Sequence, residues 1–441
     1  MNVFNSLPVR LVVLFGLILA LQIPILAIEG TVRERESTRL EAIRDITSTW
    51  GEAQTVAGPL IAVPYREHLR DEKGMARVAT HLAYFLPDSL AISGKVTTER
   101  RYRGIFEVPV YTATLTVSGT MSSPDFGRWQ VPAADIMWSG ASLVVGTSDP
   151  KALRESVKVI WDGAPHDFGP GSAGVDFLPA GISLPLPELG GEKAGTPHRF
   201  AFDLVLGGSS SLHFMPLGTE TDVNLTADWR DPSFSGAFLP AERAVGDAGF
   251  SARWHVPNLG RNYPQRLRDG EIDRMQLLGS AFGVSFLAPV TAYTATTRSV
   301  KYELLFVGLT FTAFFLIEVL RNLRVHPVQY LLVGFALCLF YLLLLALSEQ
   351  LGFGLAYLTA STAVVATVGG YCFTIFRSGK LAAIIAGALT GLYGLLYALL
   401  KVQDYALIVG AVGLFVVLAL VMYLTRRIDW FKVGKLAKLS V

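Results

Sequence analysis

The sequence predicts a membrane α + β chain: six transmembrane helices, one N-terminal and five C-terminal, with a large β-rich periplasmic domain inserted between the first and second. Three observations predict it. Six apolar runs each approach the roughly 20 residues that a helix needs to cross a bilayer core. Between the first run and the second, residues 29–300 are polar overall, and much of that stretch alternates apolar and polar with period two. The composition agrees: 51% of the 441 residues are hydrophobic and the mean hydropathy is +0.43, more apolar than is usual for a soluble chain.

The first run, 11–28, is interrupted only by Gln22 and Pro24. It is long for a signal core, and Ile25 stands where a signal peptidase needs a small residue, so residues 1–28 read as a retained anchor. The other runs are 304–320, 330–347, 351–376, 381–400 and 405–424. They form a five-helix bundle over 301–425, followed by a basic tail, 426–441. Loop charge gives the orientation. The turn 321–326 carries Arg321 and Arg324, and the turn 377–380 carries Arg377 and Lys380. The tail carries Arg426, Arg427, Lys432, Lys435 and Lys438 against Asp429, whereas the turns 348–350 and 401–404 have no net positive charge. Every second loop is basic, which by the positive-inside rule places both termini in the cytoplasm and 29–300 outside, the periplasm if the cell is Gram-negative.

Past the first span, Leu40, Ile43, Ile46 and Trp50 recur on one helical stripe. That spacing predicts an amphipathic helix over 32–50 lying against the outside domain. Gly51 and Gly58-Pro59 end it. Strand-like runs follow at 59–66, 80–86, 105–120, 142–147, 200–206, 211–215, 221–229, 249–256 and 281–297, separated by turns rich in Gly, Pro, Asp and Ser. They read as a mostly antiparallel sandwich or a pair of packed sheets. The stretch 162–198 is rich in Gly and Pro and reads as long loops, and 207–211 reads as a turn. The two cysteines, Cys338 and Cys372, both lie in apolar runs. No disulfide can staple the outside domain, which is long enough to bury its own core without one.

A net charge of +2 gives no reason to expect a nucleic-acid partner. The seven histidines are mostly isolated, with no His-Glu-x-x-His; Gly-x-Ser-x-Gly, the phosphate-cradling loop and the dinucleotide fingerprint are missing too. The sequence therefore assigns no catalytic residue, metal or cofactor. Candidate polar residues sit at the span ends. Glu318 is three residues before Arg321, a spacing that pairs them at the membrane surface. Glu349 and Asp404 read as interfacial, with Asp404 capping the last helix. No acid or base falls at the middle of a span, where an ion-coupled transporter commonly places one. Gly369-Gly370, Gly387, Gly391 and Gly394 read as positions of close helix packing.

Longer motifs carry a resemblance. They include Arg298-Ser299-Val300-Lys301-Tyr302-Glu303 and the apolar run after it, His326-Pro327-Val328-Gln329-Tyr330, FYLLLLALSE at 340–349, LYGLLYALL at 392–400, and YLTRRIDWF at 423–431. In the outside domain they include Trp50-Gly51 with Gln54 and Gly58-Pro59, the segment 208–240, and Arg261 with Tyr263-Pro264-Gln265. Across nearly the whole chain this resembles the CreD family of inner-membrane proteins. Thr291 departs from the pattern, which has an acid there. The resemblance implies a protein of cell-envelope integrity, associated with colicin tolerance, β-lactam responses and the CreBC two-component system; it brings no catalytic residue or ligand. Among the motif residues, His326-Pro327 starts the third span, and Arg426 and Arg427 anchor the last helix to anionic lipid.

The reading is then a non-enzymatic inner-membrane protein whose β domain binds or senses an unknown periplasmic or inner-membrane protein partner, with membrane lipids around the bundle and the oligomeric state open. A transporter or channel component would need Glu318, Glu349 and Asp404 in one cavity. A membrane enzyme on lipid or cell-wall precursors would need a histidine and carboxylates converging in a cleft at the membrane surface.

Overall fold

The computed structural model describes residues 7–70, 76–178, 180–190, 196–271, 273–286, 292–321, 323, 325–401 and 405–426. The chain divides into two compact units, Met1–Leu40 with Val290–Val441, and Glu41–Pro289. Among the described residues the α-helices are α1 Leu7–Trp50, α2 Arg274–Gly279, α3 Ala292–Val300, α4 Glu303–Arg321, α5 Pro327–Leu351, α6 Phe353–Phe376, α7 Gly379–Lys401 and α8 Ala406–Thr425. Six of them, α1 and α4–α8, are long and apolar enough to cross a membrane. One precedes the sheets and five follow.

In the helical unit α1 presents a buried stripe of Leu21, Ile25, Ile28 and Val32, while Phe15, Ile23 and Leu26 face outward. The four-three-four spacing is that of one helical face. Gly334 of α5 admits it: a Cβ there would lie 2.3 Å from a Leu21 methyl. This, rather than the glycines singled out by sequence, is the tightest approach by a helix glycine. A Cβ on Gly369 would make only ordinary contact with Ala386, at 3.4 Å, and Gly370, Gly387, Gly391 and Gly394 face open space. Several of these glycines line surface recesses between α6 and α7 instead of a tight helix crossing. At the far side α8 buries none of its residues.

The run 281–297, read as a strand, is split. Only Phe282–Ser285 is extended, and Ala292–Val300 is α3. Its Thr-rich sequence favours strand. Burial of Tyr293, Thr296, Ser299 and Val300, three or four residues apart, overrides that preference. Thr291 lies outside the described residues.

Among its described residues the other unit holds two open sheets. The first, of nine strands, is built on Gln54–Arg70, which pairs antiparallel with Ala76–Phe85 and Ser142–Thr147 and parallel with Ser211–Phe214. The second, of eight, centres on the hairpin Ser89–Arg103 and Phe106–Met121. His198–Ser209 joins one side antiparallel, and Glu220–Ala227 joins the other side parallel, followed by Gly249–Pro257. Val56, Ile61, Val63 and Phe85 of the first sheet share a core with Ile92, Leu115, Val117 and Trp254 of the second. The first sheet is also covered on its other face, where Leu60, Ala62 and Val144 meet Val175, Phe177 and Leu178. The segment read as long loops thus supplies that cover, and it carries short strands at Ala164–Asp167, Gly169–Pro170 and Gly181–Pro185.

The stripe on α1 is less buried than its spacing implies. Leu40 is 44% exposed, and Ile43 and Ile46 are only half-buried. The helix is held at its end. Trp50 Nε1 donates to Tyr111 O at 3.1 Å, and the guanidinium groups of Arg101 and Arg154 lie 4.3 and 4.2 Å from its ring centre. Gly51, at φ +141°, then turns the chain; a Cβ there would meet Gly207 O at 2.7 Å.

Trp254→Ala removes a side chain packed between the sheets and is expected to cost about 3–5 kcal/mol. Leu259→Ala, at a position 93% exposed, is expected to change stability by less than about 0.5 kcal/mol. Pulse proteolysis of the purified chain across a urea series measures both.

Candidate functional site

A carboxylate inside a helical bundle needs a compensating partner close by. Glu318 of α4 is 4% exposed and accepts from Arg10 Nη1 of α1 at 2.8 Å and from the Tyr330 hydroxyl of α5 at 2.9 Å. The sequence paired it with Arg321, one turn on. Arg321 instead sits on the exposed side of α4, and the charge is met from another helix.

A second carboxylate, absent from the candidates read by sequence, lies nearer the start of α4. Glu303 is buried; its Oε2 accepts from Gln22 Nε2 of α1 at 3.1 Å, and its Oε1 has no hydrogen-bond partner among the described residues. The Tyr341 hydroxyl of α5 is also buried without a partner among the described residues. One signal was available: Gln22 is one of two interruptions in the first apolar run, and Arg10 is the single charge before it. Their partners are some 300 residues away, so no local spacing reveals them.

Glu349, near the end of α5, accepts from the Tyr293 hydroxyl at 2.7 Å. Burial first, and then this carboxylate, push the Tyr293 phenol up, while Arg35 and Arg39 pull the other way. Glu318 and Glu349 do not meet. Tyr330, which touches Glu318, is nineteen residues before Glu349 on α5, about 28 Å at 1.5 Å per residue. His326 is the N-cap of α5: its Nδ1 accepts from Val328 N at 3.3 Å, and its own N–H donates to Gln329 Oε1 at 2.9 Å. Arg426 stacks 4.0 Å over the Tyr423 ring. Asp404 and Arg427 lie outside the described residues.

In the sheet unit the motif residues are joints. Arg261 is buried and donates to Pro216 O at 2.9 Å, to Leu217 O at 2.8 Å and to Gln265 Oε1. Gln265 in turn donates to Pro87 O, and the Tyr263 hydroxyl reaches Pro216 O at 3.1 Å. Burial pulls the Arg261 guanidinium below its usual range and pushes the Tyr263 phenol up. One cluster has the composition of a nucleophilic relay: His198 lies 2.8 Å from Asp162 Oδ2 and 3.3 Å from Ser123 Oγ. Yet the serine hydroxyl donates to Thr196 O at 2.6 Å. The imidazole is 1% exposed and stacked on Trp161. A relay needs that proton on the ring nitrogen; here the histidine bridges strand ends. Among the described residues no group of His, Cys, Asp and Glu could hold a metal ion.

The family model described as inner membrane protein CreD matches residues 6–431. A relative called inner membrane protein CreD, from Escherichia coli (strain K12), is 33% identical over 421 residues, covering 95% of this chain and 92% of its own.

Arg10→Ala strands a buried carboxylate and is expected to cost about 3 kcal/mol. Arg10→Ala with Glu318→Ala is expected to cost less than the sum of the two single changes. Arg321→Ala is expected to stay within about 0.5 kcal/mol of the parent. Thermal unfolding of the detergent-solubilised chain gives the cycle. Additive effects at positions 10 and 318 would overturn the assignment.

Proposed function

The chain belongs to the CreD family of inner membrane proteins, and from that premise we propose that it is a non-enzymatic envelope protein that holds its sheet unit in the periplasm. There the unit binds or senses a partner and supports envelope integrity, including responses to colicins and β-lactams. The observation that carries the orientation is a charge asymmetry. At the end of the bundle where α4, α6 and α8 finish and α5 and α7 begin, Arg10, Arg321, Arg377, Lys380 and Arg426 stand against one acid among the described residues, Glu318. Cationic ends favour the cytoplasmic side. The chain from Glu41 to Pro289 follows α1, which carries Arg10 at that end. A binding role is supported by how the polar side chains of the sheet unit are used: Arg261, Gln265 and His198 are occupied in holding strands and loops together.

The two native cysteines, Cys338 and Cys372, are buried in the bundle, so a cysteine introduced at the exposed Ser156 reports on its own. In spheroplasts, Ser156→Cys is expected to react with a membrane-impermeant maleimide without lysis; reaction only after lysis would reverse the orientation. Deletion of the chain is expected to raise envelope permeability or change colicin or β-lactam sensitivity, with restoration by the intact chain. No change in any of these would remove the envelope role.

A further inference from the structure

An elongated groove of 510 Å³ runs down the helical unit between α4, α7 and α8. Its wall is predominantly aliphatic, with Leu316 and Ile317 of α4, Ala388 and Leu392 of α7, and Leu420 and Val421 of α8. Along α4 it extends from Leu309 to Arg321, twelve residues, or about 18 Å. That is close to the roughly 15 Å that one leaflet contributes to a bilayer core about 30 Å thick. Since α8 buries no residue of its own, the groove is an open furrow facing the hydrocarbon.

One end of the furrow is cationic. Arg321 lines it, and Leu381 and Leu424 line the same end, next to Lys380 and two residues short of Arg426. No carboxylate lies within ion-pair distance of Arg321, Lys380 or Arg426 among the described residues; Arg426 touches Tyr423. The acid at this end, Glu318, is already held by Arg10 and Tyr330. Among the described residues the cations at the mouth therefore lack a counter-charge.

The charge at the mouth selects the occupant. Three cations without a carboxylate partner among the described residues call for an anionic headgroup, and the mostly aliphatic wall between α4, α7 and α8 calls for an acyl chain. We propose that the groove holds an anionic phospholipid, with one acyl chain lying along α4 between α7 and α8 and the headgroup phosphate at Arg321, Lys380 and Arg426. The site is independent of which leaflet faces this end, so it stands or falls apart from the orientation proposed above.

Native mass spectrometry of the full chain in detergent tests it, with phosphatidylglycerol titrated against phosphatidylcholine. The parent is expected to take up phosphatidylglycerol first. Each cation near an anionic headgroup is worth about fivefold in affinity. Arg321→Gln is therefore expected to weaken phosphatidylglycerol binding about fivefold, and Arg321→Gln with Lys380→Gln about 25-fold, with phosphatidylcholine unaffected. Arg321→Lys is expected to keep the preference, which controls for folding. Ala388→Phe, filling the furrow, is expected to reduce binding of both lipids. Equal uptake of the two lipids by the parent, or an undiminished preference in the double variant, would overturn the proposal. So would unchanged binding in Ala388→Phe, which leaves only general lipid contact, or a dimer that Ala388→Phe dissociates, which puts a second copy in the groove.

Discussion

Inside the bundle, the contact between Glu318 and Arg10 sets the position of α1 against α4. Removing two charges from water is costly, and the cost is met only when partners and geometry are right. Here the carboxylate has both oxygens occupied, one by the guanidinium and one by the Tyr330 hydroxyl. Gln22 and Glu303 add a second tie. From Arg10 to Gln22 is twelve residues up α1, and from Glu318 to Glu303 is fifteen back along α4. At 1.5 Å per residue these are about 18 and 22 Å, so the two helices run antiparallel in a matched register. Leu21, seated against Gly334, fixes the rotation of α1 between the two ties. A helix located at both depth and rotation cannot slide without breaking a polar contact where there is no water to replace it.

In the sheet unit the corresponding constraint is two-sided burial. The first sheet has a sheet on one face and a blanket of loop residues on the other. Its strands therefore read as continuous apolar runs, as in residues 142–147, all of which are buried. The second sheet shows the alternation expected of one buried face, as along Gly249–Pro257. The loop that carries the motif residues Arg261, Tyr263 and Gln265 is pinned by their hydrogen bonds to backbone carbonyls at 216, 217 and 87. A guanidinium buried among carbonyl oxygens without a carboxylate is an expensive joint, since its desolvation is offset by hydrogen bonds alone. These residues form a recognisable sequence motif because the fold requires that geometry.

What the sequence made legible follows from the range of each interaction. Spans announce themselves residue by residue, so six apolar runs correspond to six apolar helices. Half-buried strands do so through period two. His326-Pro327 was legible as a helix start because capping is local. Three things were not. Residues 292–300 look like strand by composition, and only packing of Tyr293, Thr296 and Ser299 makes them a helix. The partner of Glu318 was assigned one turn away, where helix geometry places neighbours; the actual partner is 308 residues distant. The glycines of α6 and α7 suggest close packing, but a missing side chain can equally leave a hollow, and Gly370 and Gly394 do so. Each error arises where a long-range contact, or the lack of one, overrides a short-range preference.

The same distinction explains α8. It is apolar around its whole circumference yet buries none of its residues, so protein packing supplies little to hold it. In hydrocarbon, apolar surface gains nothing by leaving lipid for another helix, and association depends on close packing and polar contacts. Gly413 gives α8 one close approach: a Cβ there would lie 3.0 Å from the Leu395 methyls. Elsewhere the space between α8 and its neighbours must be filled, because a vacuum costs the dispersion contacts of every atom lining it. Aliphatic walls exclude water as the filler, since a water needs two to four polar partners. Chain-like hydrocarbon remains, and a bilayer supplies it. The cations at the mouth then decide which headgroup is favoured at that position. In this arrangement lipid is the material that completes the packing of the last helix.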